Sequence, residues 1–300
     1  MRVGIDIGGT KTDAVAVASS GEIVQRLRLA TGFGPDAVVD TAVAAVTQLA
    51  ALAGTDVAAF ASIGIGIPGA VDNGTGRVTH AVNLGLEGLE LGAELSLRLG
   101  RPVRIDNDVN AAALGAFHLL EKHEHLSMAY LNLGTGLAAG IIIDGSVWRG
   151  SRGTAGEIGH IPVDPNGPEC PCGQRGCLEM VASGSAIARQ WPTDDPKPAR
   201  ALFAAAAAGD ARALDVKQRF VENVAAAVRI LVLTVDVDSV VIGGGLSSLG
   251  TVLLDDVRAV LASWEAASPF LASTRLSDRL AIVPAEFPAA AVGAALVGEA

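Results

Sequence analysis

One local design occurs twice in this chain, and it restricts the fold more than composition does. Val3-Gly4-Ile5-Asp6-Ile7 is an apolar run that breaks at Gly8-Gly9-Thr10 and resumes from Thr12 to Ala18. Met128 to Leu133 breaks in the same way at Gly134-Thr135-Gly136, resumes from Leu137 to Ile143 and closes at Asp144-Gly145. Each stretch predicts a strand, a glycine turn and a second strand. A third apolar run, Ser239 to Ile242, ends in Gly243-Gly244-Gly245 ahead of a short helix expected from about Leu246. Glycines at such turns let backbone N–H groups approach an anion closely, and a threonine hydroxyl adds a donor. A single glycine turn is more often a plain hairpin, but two turns and a carboxylate suit one polyphosphate. Asp6, between strand and turn, is placed to hold the magnesium ion that bridges phosphate oxygens. Lys11 either contacts phosphate or lies exposed beside the turn.

The three cysteines, Cys170, Cys172 and Cys177, fall within eight residues of one another, downstream of a Gly-Glu-Ile-Gly-His stretch that ends at His160. Three thiolates and an imidazole make up a closed tetrahedral zinc site, and the Gly and Pro residues between them permit a tight knuckle. Such an ion would hold a loop rather than react, fixing Glu157, His160 and Glu179 beside one another for a polyhydroxy ligand. The alternatives are buried free thiols, or a disulfide with one cysteine left over.

With 300 residues and half of them apolar, the chain supports a large core and about two domains. Ala, Val, Leu and Gly dominate, so the expectation is small aliphatic packing between helices and parallel strands. A net charge of −10 argues against nucleic acid as a partner. The apolar runs Ala14 to Ala18 and Ile230 to Val235 are too short to span a bilayer, and no signal stretch follows Met1. A cytoplasmic protein with no membrane partner is expected.

Between the turns lies Ile105-Asp106-Asn107-Asp108-Val109-Asn110, a strand end that runs into an alanine-rich helix. Capping explains Asp106 or Asn110. Four polar groups in five positions exceed that need, and the excess predicts that Asn107 and Asp108 face a ligand, with a carboxylate as general base.

Taken together, these residues resemble the ROK sugar kinases, a branch of the superfamily that also contains the heat-shock proteins and actin. Asp6-Ile7-Gly8-Gly9-Thr10-Lys11 resembles the family's first phosphate motif, Leu133-Gly134-Thr135-Gly136 its second, and Ile242-Gly243-Gly244-Gly245 its adenosine motif. The segments Gly153 to His160 and Cys170 to Glu179 resemble its signature and zinc loop. The resemblance implies a two-domain actin-like (ribonuclease H-like) α/β ATPase fold with an interdomain cleft. Residues 1–115 plus 285–300 would form the small domain, with a returning helix over Ala289 to Val297. Residues 116–284 would form the large one, with the zinc loop at 160–179. It further implies an ATP-dependent hexokinase using Mg2+ and a structural Zn2+ held by His160, Cys170, Cys172 and Cys177. Asp108 would be the catalytic base, and Gly69, Asn83, Asn107, Glu157, His160 and Glu179 would bind sugar, His160 serving sugar and zinc through different nitrogens. Gly8, Gly9, Thr10, Lys11, Gly134, Thr135, Gly136 and the triplet Gly243, Gly244, Gly245 would bind nucleotide. The acceptor hydroxyl is expected at C6 of glucose, with N-acetylglucosamine or N-acetylmannosamine as alternatives, and the assembly is expected to be a homodimer or homotetramer.

The competing class is a non-catalytic, sugar-sensing regulator of the same family. Those proteins carry an N-terminal helix-turn-helix and tend to lose nucleotide and catalytic residues, whereas Asp6, Thr10, Asp108 and Thr135 are kept here. Elsewhere, residues 191–198 read as a surface loop and Ala199 to Ala208 as a helix. Asp13, Asp36 and Asp40 are expected on solvated faces, and His123 and His125 in a polar loop.

Overall fold

The computed structural model describes residues 1–120 and 127–299, so the expectation for His123 and His125 lies outside the described residues. The chain divides into two compact units, Met1–Lys122 with Gly145–Thr154 and Pro288–Ala300, and His123–Asp144 with Ala155–Phe287.

The first unit is built on β1 (Arg2–Ile7), β2 (Lys11–Val17), β3 (Ile23–Ala30), β4 (Ser62–Ile67) and β8 (Val103–Asn107), in the order β3-β2-β1-β4-β8. Strands β1 to β3 form an antiparallel meander, while β4 and β8 run parallel to β1. A small antiparallel sheet of β5 (Ala70–Asp72), β6 (Arg77–Ala81) and β7 (Leu86–Leu89) is inserted between β4 and β8. Strand alternation sorts the side chains onto two faces. Val3, Ile5 and Ile7 of β1 and Ile63, Ile65 and Ile67 of β4 pack with α1 (Pro35–Leu52) and α2 (Leu91–Leu99) in one core. The opposite face is glycine-rich, because α10 (Ala289–Val297) lies with its backbone directly on it. A Cβ on Gly4 would come 1.9 Å from the Ala291 carbonyl oxygen, and one on Gly64 would come 2.0 Å from that of Ala294. Beside α10, α3 (Asp108–Leu119) covers the same face.

Helix α1 is the one helix among the described residues long and apolar enough, by length and composition, to cross a membrane. Its apolar side is used in the core, where Val38, Ala42, Val46 and Leu49 are fully buried.

In the second unit, β9 (Ser127–Leu133) pairs antiparallel with β10 (Leu137–Ile143) and parallel with β12 (Ser239–Gly243), which pairs parallel with β13 (Leu280–Ile282). The short strand β11 (Ser146–Val147) follows β10 in sequence and falls in the first unit. Helices α4 (Glu179–Ala182), α5 (Gly184–Gln190), α6 (Pro198–Ala207), α7 (Ala211–Val235), α8 (Thr251–Ala267) and α9 (Pro269–Thr274) complete it. The amphipathic α7 buries Phe220, Val224, Val228 and Leu231 against β9 and β12 residues in the core of this unit. Its first turn is capped by Asp210, whose carboxylate accepts the Ala213 N–H at 2.8 Å.

Candidate active site and metal centre

The first glycine turn joins β1 to β2 as a tight hairpin in which the Gly8 N–H donates to the Lys11 carbonyl at 3.0 Å. Gly9, Thr10 and Lys11 are exposed. Asn83, on a 3-10 turn over Val82–Leu84, lies against this hairpin, since a Cβ on Gly9 would come 3.2 Å from the Asn83 Cβ.

Register places Asp6 on the same face of β1 as Gly4, directly across from Gly66 of β4. Gly66 leaves room for the start of α3: a Cβ there would come 3.4 Å from the Asp108 Cα. Asp6 and Asp108 therefore meet beside the hairpin. Burial, then the negative charge of Asp108, then that of Asp13, push the Asp6 carboxyl up to about 8, against the pull of Lys11 and Arg28. A desolvated carboxyl beside a second carboxylate is a donor set that a divalent cation would relieve, which fits the magnesium role inferred for Asp6.

Asp13 was expected on a solvated face, and the structure corrects this. It stands opposite Asp6 on β2 and opposite Arg28 on β3, and is 9% exposed. The Arg28 guanidinium donates to both its carboxylate oxygens, at 2.7 and 2.9 Å. Only the hairpin register brings these three charges into one row, and spacing along the sequence did not reveal it.

The junction of β8 and α3 assigns the polar residues differently from the sequence reading. The capping role falls to Asn107, whose Oδ1 accepts the N–H groups of Val109 at 2.9 Å and Asn110 at 3.3 Å. Its Nδ2 donates to the Gly69 carbonyl at 3.1 Å. Gly69 has φ of 102°, and a Cβ there would strike the Thr79 carbonyl at 2.7 Å, so glycine is required. Asp106 is neither cap nor ligand candidate. Its carboxylate is fully buried and accepts the Asn107 N–H at 2.8 Å, the Asn110 Nδ2 at 3.2 Å, and Arg149. Asp108 is the first residue of α3 and partly exposed.

In the second unit, the turns Gly134–Gly136 and Gly243–Gly245 lie side by side, because β9 and β12 are parallel neighbours with Asn132 across from Gly243. Gly244 has φ of 77° and approaches so closely that a Cβ would come 2.6 Å from the Leu133 carbonyl, while its N–H donates to the Tyr130 hydroxyl at 3.0 Å. Gly245 is exposed with nothing over it, so bare backbone is presented at the end of the triplet, while Gly243 is buried against Tyr130. The expected short helix is a 3-10 turn over Gly245–Leu249. Thr135 is exposed at the tip of the other turn.

Glu179 opens α4 and touches that turn, where its Oε2 accepts the Leu137 N–H at 2.9 Å. The signature segment runs against β10, since a Cβ on Gly156 or Gly159 would strike the Ala139 or Leu137 carbonyl. This brings Gly159, and with it the turn Ile158–His160, beside Glu179, while Glu157 is exposed just ahead of it.

All three cysteines are free thiols. One ligand atom from each of His160, Cys170, Cys172 and Cys177 lies within 4.8 Å of every other. Ligands about 2.3 Å from a tetrahedral zinc ion stand about 3.8 Å apart. The Cys172 and Cys177 sulfurs are 3.7 Å apart, and Cys170 Sγ is 3.8 Å from His160 Nδ1, so the quartet fits zinc. Hydrogen bonds from Gln174 lower the Cys172 thiol to about 6, whereas burial pushes that of Cys177 up to about 12. Positive φ at Gly173 and Gly176 permits the knuckle, closed by the Cys170 N–H to Gln174 carbonyl bond at 2.8 Å.

Known proteins resemble this chain over most of its length. The chain is 35% identical over 275 residues to a glucokinase of Halalkalibacterium halodurans, covering 85% of this chain and 83% of that protein. It is 34% identical over 248 residues to an N-acetylmannosamine kinase of Haemophilus influenzae, covering 81% and 79%. The crystal structure of a ROK family glucokinase from Streptomyces griseus in complex with glucose and AMPPNP superposes with a TM-score of 0.82 at 31% identity, covering 99% of each chain. The fold is accordingly the two-domain actin-like ATPase fold. The ROK family profile matches residues 2–297, and the chain belongs to the ROK family.

Proposed function

We propose that this chain is an ATP-dependent hexokinase that transfers the γ-phosphoryl group of ATP to the C6 hydroxyl of glucose. The observation that carries this reading is the apposition of Asp6 and Asp108 next to the Gly8–Thr10 hairpin. One carboxylate would take a metal and the other a hydroxyl.

Phosphoryl transfer needs positioning and charge compensation more than covalent help. Asp108 orients the sugar hydroxyl and accepts its proton as the new O–P bond forms and the bond from the γ-phosphorus to the ADP oxygen breaks. Gly8 and Gly134, whose N–H groups close the two turns, shape the hairpins whose other backbone N–H groups, with Thr10, Lys11, Thr135 and Gly136, cradle the phosphates, and Gly243 to Gly245 take the adenosine. Asp6 would hold Mg2+, which supplies charge neutralisation at the phosphate oxygens. Gly69, Asn83, Asn107, Glu157, His160 and Glu179 bind sugar hydroxyls. Asn107 and Glu179 do so while already engaged with backbone, which fixes their orientation. His160, Cys170, Cys172 and Cys177 would hold a structural Zn2+. His160 turns Nδ1 toward the cysteines, leaving Nε2 for the sugar. We further take the enzyme to be cytoplasmic and to assemble as a homodimer or homotetramer.

N-acetylmannosamine is the second candidate acceptor, favoured by the 34% identity to kinases of that name. A coupled assay for sugar-dependent ADP formation over glucose, N-acetylmannosamine, N-acetylglucosamine and fructose tests the reading. Glucose should give the highest kcat/KM. A higher value with an N-acetylhexosamine would reassign the substrate, and hexose binding with no ADP from any sugar would make the protein a sensor.

A further inference from the structure

The guanidinium of Arg149 donates to Asp106 Oδ2 through Nε at 3.2 Å and Nη2 at 2.5 Å, and through Nη1 to the Val147 carbonyl at 3.4 Å. Asp106 is 0% exposed, and its other oxygen accepts the Asn107 N–H and the Asn110 side chain. A buried carboxylate needs a counter-charge, and the forked donor geometry of arginine supplies one that also fixes orientation. Asp106 is thus clamped by Arg149 on one oxygen, and on the other it sets the peptide N–H of Asn107. Asn107 in turn caps the helix whose first residue is Asp108. Along the sequence Arg149 is 43 residues from Asp106, on the segment Gly145–Thr154 that returns to the first unit.

We propose that Arg149 is a positioning residue for phosphoryl transfer, holding the base Asp108 in line through Asp106 and Asn107. This role rests on the kinase reading above. Arg149 touches neither sugar nor nucleotide in this scheme. Its loss should misdirect the base and leave sugar affinity little changed, because a small displacement of a reacting group lowers turnover far more than binding. A lysine provides charge without the fork and should restore part of the rate.

The test uses the full-length enzyme as wild type, Arg149→Ala and Arg149→Lys, with kcat and KM for glucose, thermal melting, and hydrogen exchange at the Val109 and Asn110 amides. Arg149→Ala should lose about 10- to 100-fold in kcat with KM within about threefold. Arg149→Lys should fall between it and wild type. Millimolar guanidinium should raise the rate of Arg149→Ala without affecting wild type, and the two amides should exchange faster in Arg149→Ala. A kcat within twofold of wild type would overturn the proposal, as would a rate loss that merely tracks melting temperature and resists guanidinium. Wild type without sugar-dependent ADP formation would instead overturn the kinase reading. In that event the amides still decide whether Arg149 orders this corner, and unchanged exchange refutes it.

Discussion

The β8 to α3 corner of the first unit and the 160–179 loop of the second are both dense in polar groups, but they are held in opposite ways. The corner is closed by the protein itself: a buried carboxylate, an arginine fork, a helix cap and the Gly69 carbonyl hold Asp106 and orient Asn107. The loop has little apolar packing of its own: Leu178 joins the main core of its unit, and Cys170 and Cys177 form a small buried cluster with the neighbouring Met180. What converges in it are four soft ligand atoms, one of them on the exposed Cys172. The corner is preorganised by side chains, whereas the loop is arranged for an ion to complete.

The largest effect that would break this comparison is expected at the corner. Asp108→Ala should lower kcat by about two to four powers of ten while glucose KM stays within several-fold, read by steady-state kinetics. Near wild-type turnover would remove Asp108 from the chemistry.

Loss of the zinc proposed for the loop should be the next largest. Cys177→Ser, or exhaustive chelation of the wild type, should lower kcat/KM for glucose by about 10- to 100-fold, with metal content followed by elemental analysis. Activity that survives complete metal removal would make the loop self-sufficient, like the corner.

Asn107→Ala should then cost about 1 kcal/mol of stability from the lost cap, which chemical denaturation measures, in addition to any effect on sugar binding. Asn107→Asp keeps the cap acceptor and should cost less.

A last effect, visible only in the pH dependence of stability, concerns Asp6. Its folded-state carboxyl lies near 8, above its unfolded value of 3.8, so the protonated form is the one the fold favours. That contribution is fully present below about 3.8 and is lost progressively as pH rises from there to about 8. Without metal, Asp6→Asn should melt several degrees above wild type at pH 9, by a margin that shrinks as pH falls to 5. Added Mg2+ should stabilise wild type and not the variant. An identical pH dependence of melting would show that Asp6 is not held in a desolvated, like-charged setting. Asp108→Asn should shift the wild-type dependence in the same sense as Asp6→Asn, since Asp108 contributes to the Asp6 shift.

Much of the candidate site was legible because its chemistry is local. The glycine turns announce themselves by interrupting apolar strands, and the metal quartet by spacing, since a knuckle of about 18 residues can only fold back on itself. Along the sequence, capping explains Asp106 or Asn110, yet in the structure Asn107 is the cap and Asp106 the buried anchor. Adjacent Asp and Asn residues at a strand end have the same capping chemistry, and only the direction of each side chain separates them. Asp13 was misread for a related reason. A strand residue beside solvated charges looks exposed until the register sets Arg28 opposite it.

The sequence by itself determined the parts: where strands stop at glycines, which residues can hold a metal, which helix starts with a carboxylate, and that the whole belongs with the ROK sugar kinases. These depend on contacts within a few residues, where the chain has few conformations to choose from. The tertiary structure alone decided the partners of buried charge, setting Asp6 against Asp108, Asp13 against Arg28, and Arg149 against Asp106. Those pairings join residues 15 to 102 positions apart, and desolvation, which gives them their strength, exists only once the strands and helices have packed.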